Sequence, residues 1–510
     1  MRGRAGVGHH ADGAIPRTPR LLDAPSIISR IARATLVAAI AWGAFAFGAV
    51  YPWAYWPLAI AAQAIAIAGL VAPAPAQWRR FQLSGLAGAL LLIMVAVTIQ
   101  LVPLPTALLT RVSPNAPDLI VQLEPAARAG LTSVHPLSIA PAKTTVGLVV
   151  VASLAFLLVG ASRLLSITGV RGIAQAVTVV GVLLALTGIV QQPLFAGKIY
   201  GFWTLRMGGN PYGPFVNKNH FAGWMLMGLP VTLGLLCSGV ALGRRGLKPG
   251  FRWTLLWLSS PDANRLLLLV GASAVMALSL ILTMSRSGMA AAALAAIVTT
   301  GLSLKRHATR ARKITGVAIV SAVTVVVVGW TGADAIARRF SDANWGEINN
   351  RKGPWMDAIG VIARYPLVGT GLNTYGVATL FYQRHDLSQH YAEAHNDYLQ
   401  LAAEGGACLV IPAAVSAVIF AIVVRRRFRQ EISTTTYWIR AGAVTGLLAI
   451  ALQEVVEFSL QMPGNALLFV VLCAIALHRT PPRSTTRRAT DQERRPSEGP
   501  AARSTAEALA

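Results

Sequence analysis

The run ACLVIPAAVSAVIFAIVV, residues 407–424, contains no charged side chain. As a helix this run would rise about 27 Å, close to the ~30 Å thickness of the hydrocarbon core of a bilayer. The polar sequence YAEAHNDYLQLAAEGG (391–406) precedes the run, and the basic sequence RRRFR (425–429) follows it. An apolar helix between two polar ends is typical of a membrane span, so this stretch predicts a membrane fold.

Comparable apolar runs recur along the chain. Hydrophobic residues make up 54% of the sequence and charged residues 13%, a balance that excludes an ordinary soluble domain. We predict an all-α fold, a polytopic membrane helix bundle of about 12 transmembrane helices within residues 29–478. The predicted spans are 31–51, 54–72, 83–102, 145–163, 172–191, 219–239, 265–284, 288–304, 314–331, 407–424, 441–461 and 464–478.

Topology explains the formal net charge of +25. Most Lys and Arg residues fall in segments on one side of the predicted membrane, and positive residues mark the cytoplasmic side. Both termini are therefore predicted to be cytoplasmic, with residues 1–28 and 479–510 as disordered tails. This orientation signal accounts for the charge without nucleic acid as a partner.

The largest predicted segment on the opposite side is 332–406, between spans nine and ten. Within it, Pro354 suits the first position of a helix and Pro366 stops helical structure, so residues 354–364 are predicted to form a short surface helix. Asp357 and Arg364 of this helix are expected to face water or a ligand.

Several cations are predicted on the non-cytoplasmic side, where positive residues are normally scarce. They are Lys218, His220, Arg286, Arg351 and His395. An anionic ligand at the membrane surface would explain them, because Arg and Lys side chains bind phosphate groups. Structural interpretations stay open, among them an interfacial anchor for Arg286, a solvated charge for Arg351 and a cap of a helix at 396–404 for His395.

Two carboxylates, Glu454 and Glu457, lie three residues apart in the eleventh predicted span and would share one helix face. Carboxylates inside a membrane helix need partners. We predict an ion pair that fixes helix packing, with Arg286 or Lys218 as the partner; a role in shaping a substrate pocket is the alternative.

Four stretches together resemble the O-antigen ligase and polymerase superfamily, over about 200–475. They are NPYGPFVNKNHFAGWM (210–225), TMSRSGMAAAALA (283–295), RKGPWMDAIGVIARYPLVGTGLNTYG (351–376) and HNDYLQLAAEGG (395–406). Their order, spacing and shared side of the membrane carry the resemblance.

The resemblance implies a metal-independent inverting glycosyltransferase that needs no cofactor. Such an enzyme transfers or polymerises an undecaprenyl-pyrophosphate-linked glycan in O-antigen or exopolysaccharide biosynthesis. The acceptor would be a glycan or the lipid A core, at the periplasmic face of the bacterial inner membrane. A protein O-oligosaccharyltransferase and a small-solute transporter of the bicarbonate type are the alternatives.

Site residues follow from the same motifs. His395 would be the general base, because an imidazole titrates near neutral pH, and Arg286 and Arg351 would stabilise the leaving pyrophosphate. The predicted substrate-binding residues are Asn217, Lys218, Asn219, His220, Asn396, Asp397 and, as a competing cation, Arg364.

Overall fold

The computed structural model describes residues 26–73, 84–205, 209–243, 261–306 and 346–480. In chain order the helices are α1 (Ile27–Phe45), α2 (Pro52–Val71), α3 (Ser84–Ile99), α4 (Thr106–Val112), α5 (Ala116–Leu123), α6 (Pro125–Arg128), α7 (Pro141–Thr168), α8 (Arg171–Gln191), α9 (Lys218–Gly243), α10 (Pro261–Leu282), α11 (Arg286–Arg306), α12 (Gly346–Arg364), α13 (Tyr375–Tyr382), α14 (Asp397–Gln430), α15 (Thr434–Gln453) and α16 (Pro463–Leu477). The short strands are β1 (Pro103–Pro105), β2 (Val134–Pro136), β3 (Lys198–Ile199) and β4 (Trp203–Thr204).

This architecture confirms the predicted all-α membrane bundle. Eight of the described helices are long and apolar enough to cross a membrane, and α3, α11 and α16 are shorter apolar helices. Together they account for all the predicted spans except the ninth, 314–331, which lies outside the described residues. Most of the two predicted tails also lies outside them, although α1 already begins at Ile27.

The helices α9 and α15 form the centre of the bundle and run antiparallel. Small residues bring them together, because Gly442 faces Pro230 and, one helical turn along, Gly234 faces Trp438. Glycine at a helix interface lets two backbones approach closely. The beginning of α9 and the end of α15 therefore lie at the same end of the bundle.

A second, smaller hydrophobic core lies outside the main bundle. It joins α5, α12 and α13 through buried side chains such as Leu119, Val361 and Tyr375. Gln100 anchors this layer to the bundle, since its side chain donates to the backbone oxygens of Val368 (2.7 Å) and Glu404 (2.9 Å). The layer caps the end of the bundle at which α14 begins.

Two predicted helix boundaries need correction. The surface helix predicted for 354–364 begins earlier, at Gly346, so Pro354 lies inside α12 rather than at its first position. The span predicted for 407–424 is extended in both directions as α14. Gly406 breaks α14 with φ 53° and ψ −161°, a conformation open essentially only to glycine. The segment 397–405 and the apolar run after it are therefore two helical parts joined by a kink at Gly406.

The eleventh span differs most from its prediction of 441–461. Because α15 ends at Gln453, Glu454 and Glu457 lie in the turn after the helix and do not share a helix face. The side chain of Glu454 accepts a hydrogen bond from the backbone N–H of Ser459 at 2.7 Å and so closes this turn. The predicted shared face was therefore wrong.

Candidate active site

Five segments that are distant in sequence meet at one end of the bundle. The antiparallel packing of α9 and α15 places the start of one helix beside the turn that follows the other. The remaining three segments are joined to these by side-chain contacts. The five segments are 217–220 at the start of α9, 284–287 before α11, 351–355 in α12, 394–397 before α14, and 454–459 after α15.

Glu457 connects three of these segments. Its side chain is fully buried and forms an ion pair with Arg351 of α12. The same carboxylate oxygen accepts a hydrogen bond from the Asn219 side chain (2.7 Å) and a longer one from the Ser287 hydroxyl (3.4 Å). Glu457 forms an ion pair, as predicted, but with Arg351, which was not among the partners named from the sequence and which sequence reasoning allowed to be a solvated charge. The Arg351 side chain remains 20% exposed.

Arg286 is the first residue of α11, directly beside Ser287. Met284, two residues before Arg286, has φ 51°, a strained value for a side chain of this size. The Ser285 hydroxyl accepts from the N–H of Gly288 (3.3 Å) and caps the helix. Arg286 therefore adds a full positive charge to the partial positive charge of a helix N-terminus.

His395 lies two residues before the first residue of α14 and has φ 51°, again in the left-handed region. Its carbonyl accepts from the indole N–H of Trp355 at 3.3 Å. The side chain of Asn396, not His395, caps α14 by accepting from the N–H groups of Tyr398 and Leu399, both at 3.0 Å. The alternative interpretation of His395 as a helix cap is therefore wrong, and its imidazole is available for another role.

Phe458 contacts two imidazoles. Its ring meets the His395 ring edge to face at 4.8 Å and the His220 ring at 4.6 Å. Burial, and to a lesser extent the nearby Arg351 cation, lowers the pKa of His395 to about 4. The His395 imidazole is therefore neutral at neutral pH and able to accept a proton.

His220 is 2% exposed, and no described residue hydrogen-bonds to either nitrogen of its ring. Its backbone oxygen accepts from the Asn465 side chain of α16 at 2.9 Å. A buried imidazole without a hydrogen bond to its ring is costly. The His220 ring therefore has unfilled hydrogen-bonding nitrogens immediately beside Phe458.

The other polar residues predicted in 217–219 have distinct positions. The Asn217 side chain accepts from the N–H of Asn219 at 2.9 Å and so caps α9. Lys218 begins α9, and its N–H donates to the oxygen of Asn210 at 2.7 Å. Of these three residues, Asn219 contacts the Arg351 and Glu457 pair through its side chain.

Asp397 lies behind the site. Its N–H donates to the backbone oxygen of Glu454 (3.1 Å), and its carboxylate accepts from the Gln461 side chain (2.7 Å). Burial raises the pKa of the Glu454 carboxyl, and the neighbouring Asp397 carboxyl raises it further. This pair holds the turn after α15 against the start of α14.

Arg364 lies apart from the other candidates. It is 13 residues beyond Arg351 on α12, and a helix rises 1.5 Å per residue, so the two are about 20 Å apart. Its guanidinium lies over the ring of Tyr382 at 5.1 Å. Asp357 was expected to face water or a ligand, but it is 3% exposed and accepts from His385 Nδ1 at 2.7 Å. That expectation was wrong for Asp357.

Comparison with protein families adds one decisive observation: the O-antigen ligase family model matches residues 271–411. Residues 271–411 belong to the O-antigen ligase superfamily. A comparison with curated proteins gave no match. The eight long apolar helices make the chain a multi-pass membrane protein, and the match over residues 271–411 supports a function of the O-antigen ligase type in general.

The O-antigen ligase region supplies Arg286, Arg351 and His395, but it does not hold them in place alone. Glu457 and Phe458 follow the matched region, and Asn219 precedes it. Sequence reasoning did not single out Phe458 or Ser287. Phe458 sits in a largely apolar run, so its contact with two imidazoles left no signal in the sequence.

Proposed function

We propose that the protein transfers or polymerises an oligosaccharide carried on a polyprenyl pyrophosphate, as an O-antigen ligase or polymerase in surface polysaccharide biosynthesis. The reaction takes place at the periplasmic face of the bacterial inner membrane. The carrier is undecaprenyl pyrophosphate, and the acceptor is a glycan or the lipid A core. The single observation that supports this proposal most is the convergence of Arg286, Arg351 and His395 at one end of the bundle.

The two arginines meet the charge of the leaving group. Breaking the bond between the anomeric carbon and the pyrophosphate leaves negative charge on phosphate oxygens, which guanidinium groups stabilise more in the transition state than in the ground state. Glu457 positions Arg351 through one of its guanidinium nitrogens. A guanidinium has five N–H donors, so others can still bind the pyrophosphate.

His395 takes the proton of the acceptor hydroxyl as that oxygen attacks the anomeric carbon. The hydroxyl oxygen forms the new glycosidic bond while the pyrophosphate leaves from the opposite face, so the anomeric configuration inverts. An imidazole with a pKa of about 4 is a weak base. Burial is the main cause of this low pKa and the Arg351 charge the lesser one. A bound pyrophosphate offsets the Arg351 charge and so removes that lesser part of the shift.

The opposite end of the bundle supports the orientation. Buried or partly buried arginines bind helix-end carbonyls there, including Arg163 to Ala72 (3.1 Å) and Arg427 to Leu477 (3.0 Å). Since positive residues favour the cytoplasmic side, the arginine-rich end faces inward and the candidate active site faces the periplasm.

The test is complementation of a deletion strain with wild type, His395→Ala, Arg286→Ala or Arg351→Ala. Surface polysaccharide and lipid-linked glycan are run side by side on gels. We expect the variants to reach the membrane, to lose surface polymer and to accumulate lipid-linked donor. A stalled donor of one repeat identifies a polymerase, and long stalled chains identify a ligase.

The matched control is His390→Ala, which removes an exposed imidazole from the same outer segment. It should restore polysaccharide fully. Arg364→Ala tests the competing cation. Normal polysaccharide in the His395 and Arg351 variants, with membrane levels equal to wild type, would show that these residues are structural and that the proposed chemistry is wrong.

A further inference from the structure

A cluster of aromatic rings lies at the same end of the bundle as the candidate active site. Phe47 is at its centre, with ring centroids 4.8 to 6.0 Å from those of four neighbours. We define the aromatic cluster as Trp42, Phe47, Tyr51, Trp53, Tyr200, Phe202 and Trp203. Its members come from the end of α1, the start of α2 and the turn between them, and from the β3–β4 hairpin, which is far away in the sequence.

The cluster presents aromatic surface to the outside. Trp42 and Trp53 are 41% and 46% exposed, while Phe47 beneath them is 4% exposed. Phe202 at the tip of the hairpin stacks on Tyr200 at 6.0 Å and is 69% exposed. Aromatic surface at the end of a membrane bundle has two ordinary partners, the lipid headgroup region and a ligand.

The polar tips of these side chains favour a ligand. In an interfacial belt, the indole N–H and the phenol O–H point toward headgroups and water. Here they are used inside the protein: Trp42 donates to the Ala54 oxygen (2.9 Å) and Tyr200 to the Phe45 oxygen (2.7 Å). Trp203 donates to the Tyr51 hydroxyl (3.1 Å). In Trp42, Tyr200 and Trp203 the polar tips are therefore bound within the protein, which leaves the ring surfaces for outside contacts.

Backbone strain points the same way. Phe47, Ala49 and Tyr200 all have positive φ, at 59°, 57° and 57°. Residues with side chains are held in this region mainly where the surrounding structure over-determines them, and such residues concentrate at ligand sites. An interfacial belt needs no strained backbone, since ordinary helix ends place Trp and Tyr at that depth.

The cluster is joined to the candidate active site. Gly48 packs against the Phe215 ring so closely that a Cβ atom there would lie 2.9 Å from it. Phe215 in turn meets Phe221, the residue after His220, at 5.9 Å. Gln191 ties the hairpin to the same segment, because it donates to the Gly213 oxygen (2.7 Å) and accepts from the Tyr200 N–H (3.0 Å).

We propose that the aromatic cluster is a binding subsite for neutral pyranose units of the transferred glycan, remote from the bond that reacts. This inference rests on the proposed function. The face of an aromatic ring is electron-rich and attracts the partly positive C–H groups on the apolar face of a pyranose. The subsite holds the sugar units of the glycan while its pyrophosphate end binds Arg286 and Arg351.

The test measures binding of an oligosaccharide released by mild acid from the host's lipid-linked glycan, with the full-length protein in nanodiscs. We expect Trp53→Ala and Phe202→Ala each to weaken binding about tenfold, the loss of one stacking contact. The matched control is Trp438→Ala. Trp438 lies near the start of α15, away from the candidate active site, so this variant should bind the oligosaccharide as wild type does. If Trp53→Ala does not fold, the exposed Phe202→Ala carries the test.

A second arm uses nanodiscs with brominated lipids, which quench tryptophan fluorescence on contact. The chain has 12 tryptophans, so the Trp53 signal is taken as the difference between wild type and Trp53→Ala. We expect the oligosaccharide to protect this signal from water-soluble quenchers and lipid to quench it poorly. Strong lipid quenching of Trp53 with unchanged glycan binding in both variants would make the cluster a membrane belt and overturn the proposal.

The His395→Ala protein separates this inference from the proposed function. It should bind the oligosaccharide as tightly as wild type although it cannot transfer it. If His395→Ala still transfers glycan while Trp53→Ala and Phe202→Ala lose binding, the catalytic proposal fails and the subsite stands. If His395→Ala is inactive while the aromatic variants bind normally, the subsite fails alone.

Discussion

The two ends of the bundle each contain a buried pair of arginine and glutamate, and the pairs differ in what surrounds them. At the arginine-rich end, the side chains of Arg440 and Glu431 are 1% and 2% exposed and lie 2.8 Å apart. Arg440 also donates to the carbonyls of Ala476 (3.1 Å) and His478 (3.0 Å). This pair caps the end of α16, and the Arg440 guanidinium donates its hydrogen bonds to protein oxygens.

At the other end, Arg351 keeps a fifth of its side chain exposed beside the buried Glu457. Strained residues flank that pair, since Met284 and His395 both have positive φ. His220 nearby has ring nitrogens that no described residue binds. The two pairs therefore differ in exposure, backbone strain and unfilled polar groups, and these three differences make the Arg351 end the candidate functional site.

The largest effect should come from removing the charge of Glu457. In Glu457→Gln the amide can still accept from Asn219, but it no longer holds Arg351 by charge. We expect the transfer rate to fall about 100-fold, the scale of one misplaced electrostatic contact in an active site. The rate is measured with purified protein and lipid-linked donor. Activity within a few-fold of wild type would remove Glu457 from the positioning role.

Arg440→Met should affect stability rather than chemistry. It leaves the Glu431 carboxylate buried without its cation, a change that typically costs about 3–5 kcal/mol. We expect a clear drop in unfolding temperature in detergent, with a normal rate per folded molecule. A variant with wild-type stability but a reduced transfer rate would show that the Arg440–Glu431 pair has a functional rather than a structural role.

The pH dependence of kcat/KM should report His395. Its pKa is lowered to about 4, so the neutral base persists as the pH falls below 6.5 and is lost only near pH 4. We expect the acidic limb of the profile to have its midpoint near pH 4. In Arg351→Gln the residual activity should show this limb at higher pH, because one cause of the lowered pKa is gone. If the acidic limb does not move in Arg351→Gln, the Arg351 charge does not influence the pKa of His395.

The smallest effect is expected at Asn396. Asn396→Ala removes the cap of α14 and should cost about 1 kcal/mol of stability. Asn396→Asp keeps a capping oxygen and should restore the stability. If Asn396→Asp is as stable as wild type yet inactive, the amide group also takes part in substrate binding, as the sequence motif predicts.

Much of the fold was predictable because membrane spans follow a local rule. A run such as 407–424 must be helical in lipid, since each backbone polar group has to find its partner within the segment. Helix ends were harder to predict. The apolar run 441–461 continues past Gln453, where the buried Glu454 carboxylate closes a turn that hydropathy does not record.

The site was predictable in part for a different reason. Arg286, Arg351 and His395 stood out as cations on the side where cations are scarce, and their motifs resembled one superfamily. Their partners were less predictable: Glu457 was expected inside a helix and paired with Arg286 or Lys218, whereas it pairs with Arg351, and Phe458 was one apolar residue among many. Both depend on contacts between residues that lie far apart in the sequence.

The sequence by itself determined the helical membrane fold, its orientation signal and the charged residues that chemistry requires, because hydropathy and charge act residue by residue. Only the tertiary structure decided which of these residues meet. The antiparallel contact of α9 and α15 brings Asn219 to Glu457, and the length of α12 carries Arg364 away from Arg351. Proximity in a folded chain is set by packing between distant segments, which no local pattern encodes.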